Sequence, residues 1–298
     1  MAVNAINSEP LKAKDYKSEV KPIWCPGCGD FGVLASFYDA IAQMQLDPIN
    51  VCVVAGIGCS GRFPAFTTVY GIHTLHGRVM PVLLGIKTAN PDLNVIGMSG
   101  DGDATAIGGN HFMHACRRNI DTTYMVLDNN LYALTKGQSS PTTGEDDVDD
   151  IPYPSSPYGT YEDPVEPCTL ALAFGATWVA RELSNDKRRL TPRIIEAMNH
   201  PGFAFLHIYS PCITFYEETV KAYKEQSRHL PDDYDPVENK FEAMRLASDP
   251  NHKYIGLLFK TEKPTYEERI TAIQKTALQQ RGPGDIAAML DSYRLDAE

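Results

Sequence analysis

Apolar residues in this chain gather in short runs set between segments of helical period. Asn50–Ala55 (Asn-Val-Cys-Val-Val-Ala), Leu93–Met98, Thr122–Leu127, Ala176–Ala180 and Phe203–Tyr209 suit strands buried inside a parallel sheet. Between them, Phe31–Met44, Val79–Thr88, Thr105–Arg118 and Thr191–Asn199 predict helices. In the third, Ile107, Phe112 and Ala115 fall on one side. Strands alternating with helices at this spacing predict an α/β fold: a parallel sheet with helices on both faces.

Three stretches stand apart from this alternation. Met1 to Pro22 is polar and reads as an arm that lies on something else or is disordered. Gln138–Pro167 is rich in Pro, Gly, Ser, Tyr and acid, which suits a long surface loop near a functional site. Beyond Phe215 the chain is charged and helix-prone, with one apolar run at Tyr254–Phe259. The predicted organisation is an arm (1–22), a main domain (23–215) and a C-terminal extension (216–298) that wraps a partner or the domain itself. No internal repeat is visible.

Composition narrows the function classes. The 298 residues are 43% apolar and 22% charged, ordinary for a folded globular chain. A formal charge of −11 argues against nucleic acid, which needs a basic face to displace counterions. No apolar run approaches the ~18 residues of a membrane span, and the N-terminus carries no signal-peptide core, so a cytoplasmic location is expected. Seven cysteines, an odd number, speak for thiols or metal ligands rather than a disulfide framework.

The chemistry starts at Gly100-Asp101-Gly102-Asp103, which follows a predicted strand. Ligands of an open parallel sheet bind beyond the carboxyl ends of its strands. The two glycines let the backbone approach a phosphate closely, and a helix starting near Asp103 would point its free N–H groups there. Asp101 would repel a bare diphosphate, so a hard cation must sit between them. Mg²⁺ suits the role, with Asn129 at the next strand tip and the carbonyl of Leu131 as further oxygen ligands. Taken alone, Gly-Asp-Gly is only a turn; its placement between strand and helix, with Asn129 beyond, favours the cation site.

Cys25 and Cys28 form one C-x-x-C, and no second pair completes a zinc ribbon. A redox dithiol would need a thioredoxin-like context, which is missing. Cys59 and Cys212 sit at predicted strand ends, and four cysteines arriving at one end of a sheet suit a [4Fe–4S] cluster. Cys52, Cys116 and Cys168 read as small buried hydrophobes.

These motifs together resemble the β subunits of 2-oxoacid:ferredoxin oxidoreductases, in particular the 2-oxoglutarate type. The resemblance rests on Trp24-Cys25-Pro26-Gly27-Cys28-Gly29, Gly56-Ile57-Gly58-Cys59-Ser60-Gly61-Arg62, Ile72–Arg78, Gly85–Leu93, Gly100–Asp103 and Asp128–Gln138. It runs from about Ile23 to Phe215 and more loosely to the end. It implies a thiamine diphosphate domain of the pyrophosphate-binding type. Cys25, Cys28, Cys59 and Cys212 then match the cluster ligands, and Asp101, Asn129 and Leu131 the Mg²⁺ ligands. Gly58, Ser60, His76, Gly100, Gly102, Asp103, Leu134 and Thr135 fall around thiamine diphosphate, and Arg62 and Leu134 around the substrate tail.

The resemblance implies conversion of a 2-oxoacid, coenzyme A and oxidised ferredoxin to acyl-CoA, CO₂ and reduced ferredoxin. His76 is a candidate hydrogen-bond donor to the substrate. Arg62 is a candidate fork for a distal carboxylate, which favours 2-oxoglutarate over pyruvate. The glutamate that activates the cofactor's pyrimidine has no place in a domain of this size. An obligate α subunit is therefore expected to supply it, in an (αβ)₂ assembly. The competing readings are a non-redox thiamine lyase, which has no use for four cysteines, and a non-catalytic metal-binding module.

Overall fold

The structure, a computed structural model, describes residues 9–144 and 162–294. Its strands are β1 (Val51–Ala55), β2 (Tyr70–His73), β3 (Asn94–Gly100), β4 (Thr122–Asp128), β5 (Leu131–Tyr132), β6 (Gln138–Ser139), β7 (Trp178–Leu183), β8 (Phe203–Tyr209), β9 (Ser227–His229) and β10 (Lys253–Lys260). Its helices are α1 (Asp30–Gln43), α2 (Val79–Ala89), α3 (Asp101–Thr105), α4 (Gly109–Arg118), α5 (Pro167–Phe174), α6 (Lys187–Asn199), α7 (Glu218–Gln226), α8 (Lys240–Ala247), α9 (Tyr266–Arg281) and α10 (Ile286–Asp291).

Eight strands form one sheet in the order β2-β1-β3-β4-β8-β7-β10-β9, and β5 and β6 make a separate hairpin. Neighbours from β2 to β7 are all parallel; β10 joins β7 antiparallel. The period of two shows in how each strand divides its side chains. Val51, Val53 and Ala55 of β1, with Met125 and Leu127 of β4, pack under α1 and α6 against Phe37, Ile41, Leu190 and Ile194. Val54, Tyr124 and Val126 face the other way, against Leu83 of α2, Phe112 of α4, Leu172 of α5 and Leu246 of α8. Helices thus cover both faces, and each fully buried Leu, Ile or Phe contributes about 1.5–3 kcal/mol.

Three expectations change. The helix expected over Thr105–Arg118 is two helices, α3 and α4, with a break at Ala106–Gly108. A Cβ on Gly108 would lie 2.4 Å from Asp103 O, and one on Gly77 2.6 Å from Gly108 N, so the His76–Gly77 loop is seated in the break. The edge strand β2 was not expected, because all four of its residues are exposed and it shows no buried run. The boundary at 215 divides no sheet: β10 is a strand of the main sheet, and Leu258, Phe259 and Leu246 belong to its core. By contrast, α9 and α10 bury no residue.

Of the expected arm, residues 9–22 lie along the domain. Tyr16 is fully buried, and its hydroxyl donates to Leu46 O at 2.6 Å. Of the expected loop over Gln138–Pro167, residues 145–161 lie outside the described residues. Its beginning pairs in the β5–β6 hairpin, and its end caps α5.

Candidate active site

The chain leaves β1 toward β2 on one side and β3 toward β4 on the other, so the crevice between β1 and β3 is the switch point of the sheet. The loops after β1, β3 and β4 meet there around a cleft. Gly58, Cys59 and Ser60 line it from the first loop, Gly100 to Asp103 from the second, and Asn129, Leu131, Leu134 and Thr135 from the third, with His76 opposite Tyr132. All the residues expected around the cofactor are therefore brought together.

Asp101 and Asp103, two residues apart, are held in different ways. Asp103 Oδ1 accepts from Gly77 N at 2.8 Å and Ile57 N at 3.1 Å, and His76 Nδ1 lies 3.0 Å from it; Oδ2 accepts from Ser99 Oγ at 2.8 Å. This carboxylate ties three loops together, and a Cβ at Gly56 would lie 1.8 Å from its Oδ2. It positions the cleft walls.

Asp101 is 1% exposed. Its Oδ2 accepts from Ser140 Oγ at 2.5 Å and Thr142 Oγ1 at 2.8 Å, whereas among the described residues Oδ1 faces only Asn129 N at 3.5 Å. Burial, with the Asp128 carboxylate beside it, pushes the Asp101 carboxyl well above the ordinary range, despite the two hydroxyl donors. Asn129 Oδ1 accepts from Leu131 N at 3.2 Å, which sets the turn into β5. A buried anion beside an amide oxygen and a strand-tip carbonyl fits a hard cation. Among the described residues, Ser60 Oγ, buried on the same cleft, has no hydrogen-bond partner, and Gly58, at φ +120°, has nothing within 4 Å of an added Cβ; both fit a polar ligand above it. The five-residue α3 is much shorter than the expected helix, so the hydrogen-bonding groups of the loops, more than a helix dipole, make this site.

The four expected cluster cysteines also converge, all as free thiols. Gly29 N donates to Pro211 O at 3.2 Å, joining the Cys25–Cys28 turn to the Cys212 segment. Trp24 Nε1 donates to Cys59 O at 2.7 Å, joining it to the loop after β1. Burial, the Asp30 carboxylate and the neighbouring Cys212 and Cys25 push the Cys59 thiol up to about 12; Cys28 and Cys212 are raised by burial, by Asp30 and by neighbouring thiols. The group of three ligating atoms within 4.8 Å of one another among the described residues is Glu166, Cys168 and His207.

Glu166, Cys168 and His207 do not make a cation site, because Arg181 already occupies it. The fully buried guanidinium pairs with Glu166 Oε1, and its Nε–H points to His207 Nδ1 at 3.4 Å. Burial and Arg181 push the His207 imidazole down to about 3, so it is neutral, with its Nε2–H toward Asp128 Oδ2 at 2.8 Å.

Arg62 is not among the cleft-lining residues. It is exposed, two residues beyond Ser60, and its charge is felt by Cys59. Ser140, Thr142, Asp30 and Tyr132 were not expected. The signal for the first two was the hydroxyl-rich Ser139-Ser140-Pro141-Thr142-Thr143 at the start of the polar loop.

Comparison with known proteins fits this geometry. Residues 56–208 match the family model of the thiamine pyrophosphate enzyme, C-terminal TPP binding domain. Residues 212–275 match the family model for the C-terminal part of the pyruvate ferredoxin oxidoreductase beta chain. The chain is 41% identical over 269 residues to 2-oxoacid:ferredoxin oxidoreductase 1, subunit beta, of Aeropyrum pernix, covering 86% of this chain and 83% of that one. It is 46% identical over 202 residues to the 2-oxoglutarate synthase subunit KorB of Archaeoglobus fulgidus, covering 67% and 74%. Its fold superposes with a TM-score of 0.89 on 2-oxoglutarate:ferredoxin oxidoreductase from Magnetococcus marinus with 2-oxoglutarate, coenzyme A and succinyl-CoA bound. That pair is 39% identical, over 96% of this chain and 97% of the other.

Proposed function

The chain belongs to the 2-oxoacid:ferredoxin oxidoreductase β subunits, and on that premise we propose that it acts on 2-oxoglutarate. With coenzyme A and oxidised ferredoxin this gives succinyl-CoA, CO₂ and reduced ferredoxin, in either direction. The observation that carries the reading is the loop after β1. Cys59 belongs to the cysteine quartet and the next residue, Ser60, lines the cleft, so one peptide bond joins a cluster ligand to a cofactor contact.

In this reading Cys25, Cys28, Cys59 and Cys212 hold a [4Fe–4S] cluster. Asp101, Asn129 and the Leu131 carbonyl hold Mg²⁺ against the diphosphate. Gly58, Ser60, Gly100, Gly102, Leu134 and Thr135 surround the cofactor, and Asp103 keeps their loops in place. Thiamine diphosphate, when bound, supplies the nucleophilic carbon and the electron sink for decarboxylation. His76, with Nδ1 against Asp103, has Nε2 left for the substrate. Arg62 is the cation this loop offers to a distal carboxylate.

No glutamate lines the cleft among the described residues. The pyrimidine-activating Glu then comes from an α subunit, in an (αβ)₂ cytoplasmic assembly. Leu75, Ile107 and Leu134, at 77%, 55% and 49% exposure, give that subunit an apolar surface to cover. The 2-oxoglutarate preference is supported by the relatives whose names carry that substrate.

The test is anaerobic purification with the α subunit, followed by iron, Mg²⁺ and thiamine analysis and by turnover of 2-oxoglutarate and pyruvate. Absorbance near ~400 nm and a reduced-state EPR signal are expected for the cluster. Zinc without thiamine diphosphate overturns the reading. Arg62→Ala is expected to erase the preference for 2-oxoglutarate; an unchanged ratio removes Arg62 from substrate selection.

A further inference from the structure

The hydroxyls of Ser140 and Thr142 both donate to the same oxygen of Asp101, Oδ2, at 2.5 and 2.8 Å. Each side chain is 7% exposed. A hydroxyl has one proton to give. Ser140 gives its proton to Oδ2, and Thr142 gives its own at the shorter distance to Oδ2 with a longer branch to Asp128 Oδ1 at 3.2 Å, so Oδ2 is engaged by two hydroxyls that do not line the cleft. Oδ1 keeps lone pairs, since among the described residues its one contact is the long approach of Asn129 N at 3.5 Å.

The turn that carries these hydroxyls is itself braced. Thr143 Oγ1 accepts from Ser140 N at 2.8 Å and donates to Asn130 O at 2.5 Å. Asp128, next to Asn129, is held from behind by His207 Nε2 at 2.8 Å and by Asn130 N at 2.9 Å. Asp101 therefore cannot rotate to offer both oxygens to one ion without giving up two charge-assisted hydrogen bonds.

Resting on the Mg²⁺ site of the preceding reading, we propose that Ser140 and Thr142 are positioning residues that restrict Asp101 to one-oxygen coordination and so select Mg²⁺ over Ca²⁺. The chemistry follows from ion size. Mg²⁺ takes an octahedron of single oxygens at about 2.0–2.1 Å, whereas Ca²⁺ takes six to eight oxygens at about 2.3–2.6 Å and gains from two-oxygen carboxylates. A carboxylate with one oxygen already engaged by two hydroxyls meets the first demand and frustrates the second. Neither hydroxyl touches the ion; both act through Asp101.

The test uses the assembled enzyme with thiamine diphosphate and reads Mn²⁺ binding by EPR, with displacement by Mg²⁺ or Ca²⁺. The double variant Ser140→Ala/Thr142→Val is expected to lower the Mg²⁺-to-Ca²⁺ preference about tenfold, through the loss of two hydrogen bonds to a charged group. Thr142→Ser keeps the hydroxyl and is expected to keep the wild-type ratio. A double variant with intact cluster absorbance and a ratio within about twofold of wild type overturns the proposal, by the same energetic scale. So does a Thr142→Ser variant that behaves like Thr142→Val. Where the double variant does not assemble, Thr142→Val alone carries the comparison. Failure of the wild type to bind Mn²⁺ at all would instead bring down the cation site itself.

Discussion

Glu166 and Asp101, two acids that both feel the charge of Asp128, have opposite fates. Around β7 and α5, Glu166 has its countercharge built in. Burial works against its ionised form, yet the Arg181 guanidinium holds its carboxyl below the ordinary range, and its other oxygen caps α5 through Thr169 N at 2.6 Å. At the β3–α3 turn, Asp101 is more deeply buried, at 1% exposure against 20% for the Glu166 side chain, and has hydroxyls but no ion pair among the described residues, so burial pushes its carboxyl up. Burying an unpaired charge costs several kcal/mol, and a fold that carries such a charge needs a cation from somewhere. The first region carries its own cation; the second leaves one to be bound. That contrast separates a structural ion pair from a proposed metal site more clearly than acid content does, since clustering of acid and sulfur alone would have pointed to Glu166, Cys168 and His207.

The comparison can be broken most directly at Asp101. Asp101→Asn is expected to lower turnover of the assembled enzyme on the order of 10³-fold, the scale of lost charge stabilisation in an active site. It should also make the metal-free protein more stable, because the unpaired anion is gone. Turnover assays and melting in chelator measure both, and a destabilised metal-free variant contradicts the contrast. Arg181→Met should do the reverse, costing about 3–5 kcal/mol of stability by stranding Glu166. Denaturant unfolding reads this cost, and adding Glu166→Gln should recover part of it. Asp103→Asn should cost about 2 kcal/mol, because an amide cannot accept all the donors now gathered on the carboxylate. The readouts are the melting temperature and a weaker hold on thiamine diphosphate.

The smallest effect is in the pH dependence. Asp101 has a folded pKa above its unfolded value of about 3.9. Between those values the folded state keeps a proton that the unfolded chain has released, so its stability contribution fades as pH rises. Bound Mg²⁺ removes that penalty. The rise in melting temperature on adding Mg²⁺ should therefore be larger at pH 7.5 than at pH 5.5, by a few degrees; a rise that is equal at both would place the charge elsewhere.

Much of this was legible in the sequence, for identifiable reasons. The buried strands were continuous apolar runs, so β8 was located to the residue and β1 and β4 nearly so. Asp101, Asn129, Cys59 and Cys212 stood at strand ends, where an open sheet places its ligands. The edge strand β2 was not legible, because it has no buried face to impose a period. The break between α3 and α4 was not legible either, because it arises from the His76–Gly77 loop packing against Gly108, a contact between distant segments. The integration of β10 was masked by the charged residues around it. Ser140 and Thr142 looked like loop polarity, since what singles them out is the one oxygen they share.

The stitching of the cysteine segments sets an order in time. Cys25 and Cys28 leave the ribosome early, but their turn is tied to Pro211 O, and Cys212 follows directly on β8. β8 is an interior strand, paired with β4 and β7 on its two sides. The quartet therefore cannot close until the chain has been synthesised past Cys212, at roughly 5–20 residues per second, and β8 has docked. Until then the first cysteines are ordinary thiols on a growing chain, and a metal centre held by the quartet would form only after β8 is in place.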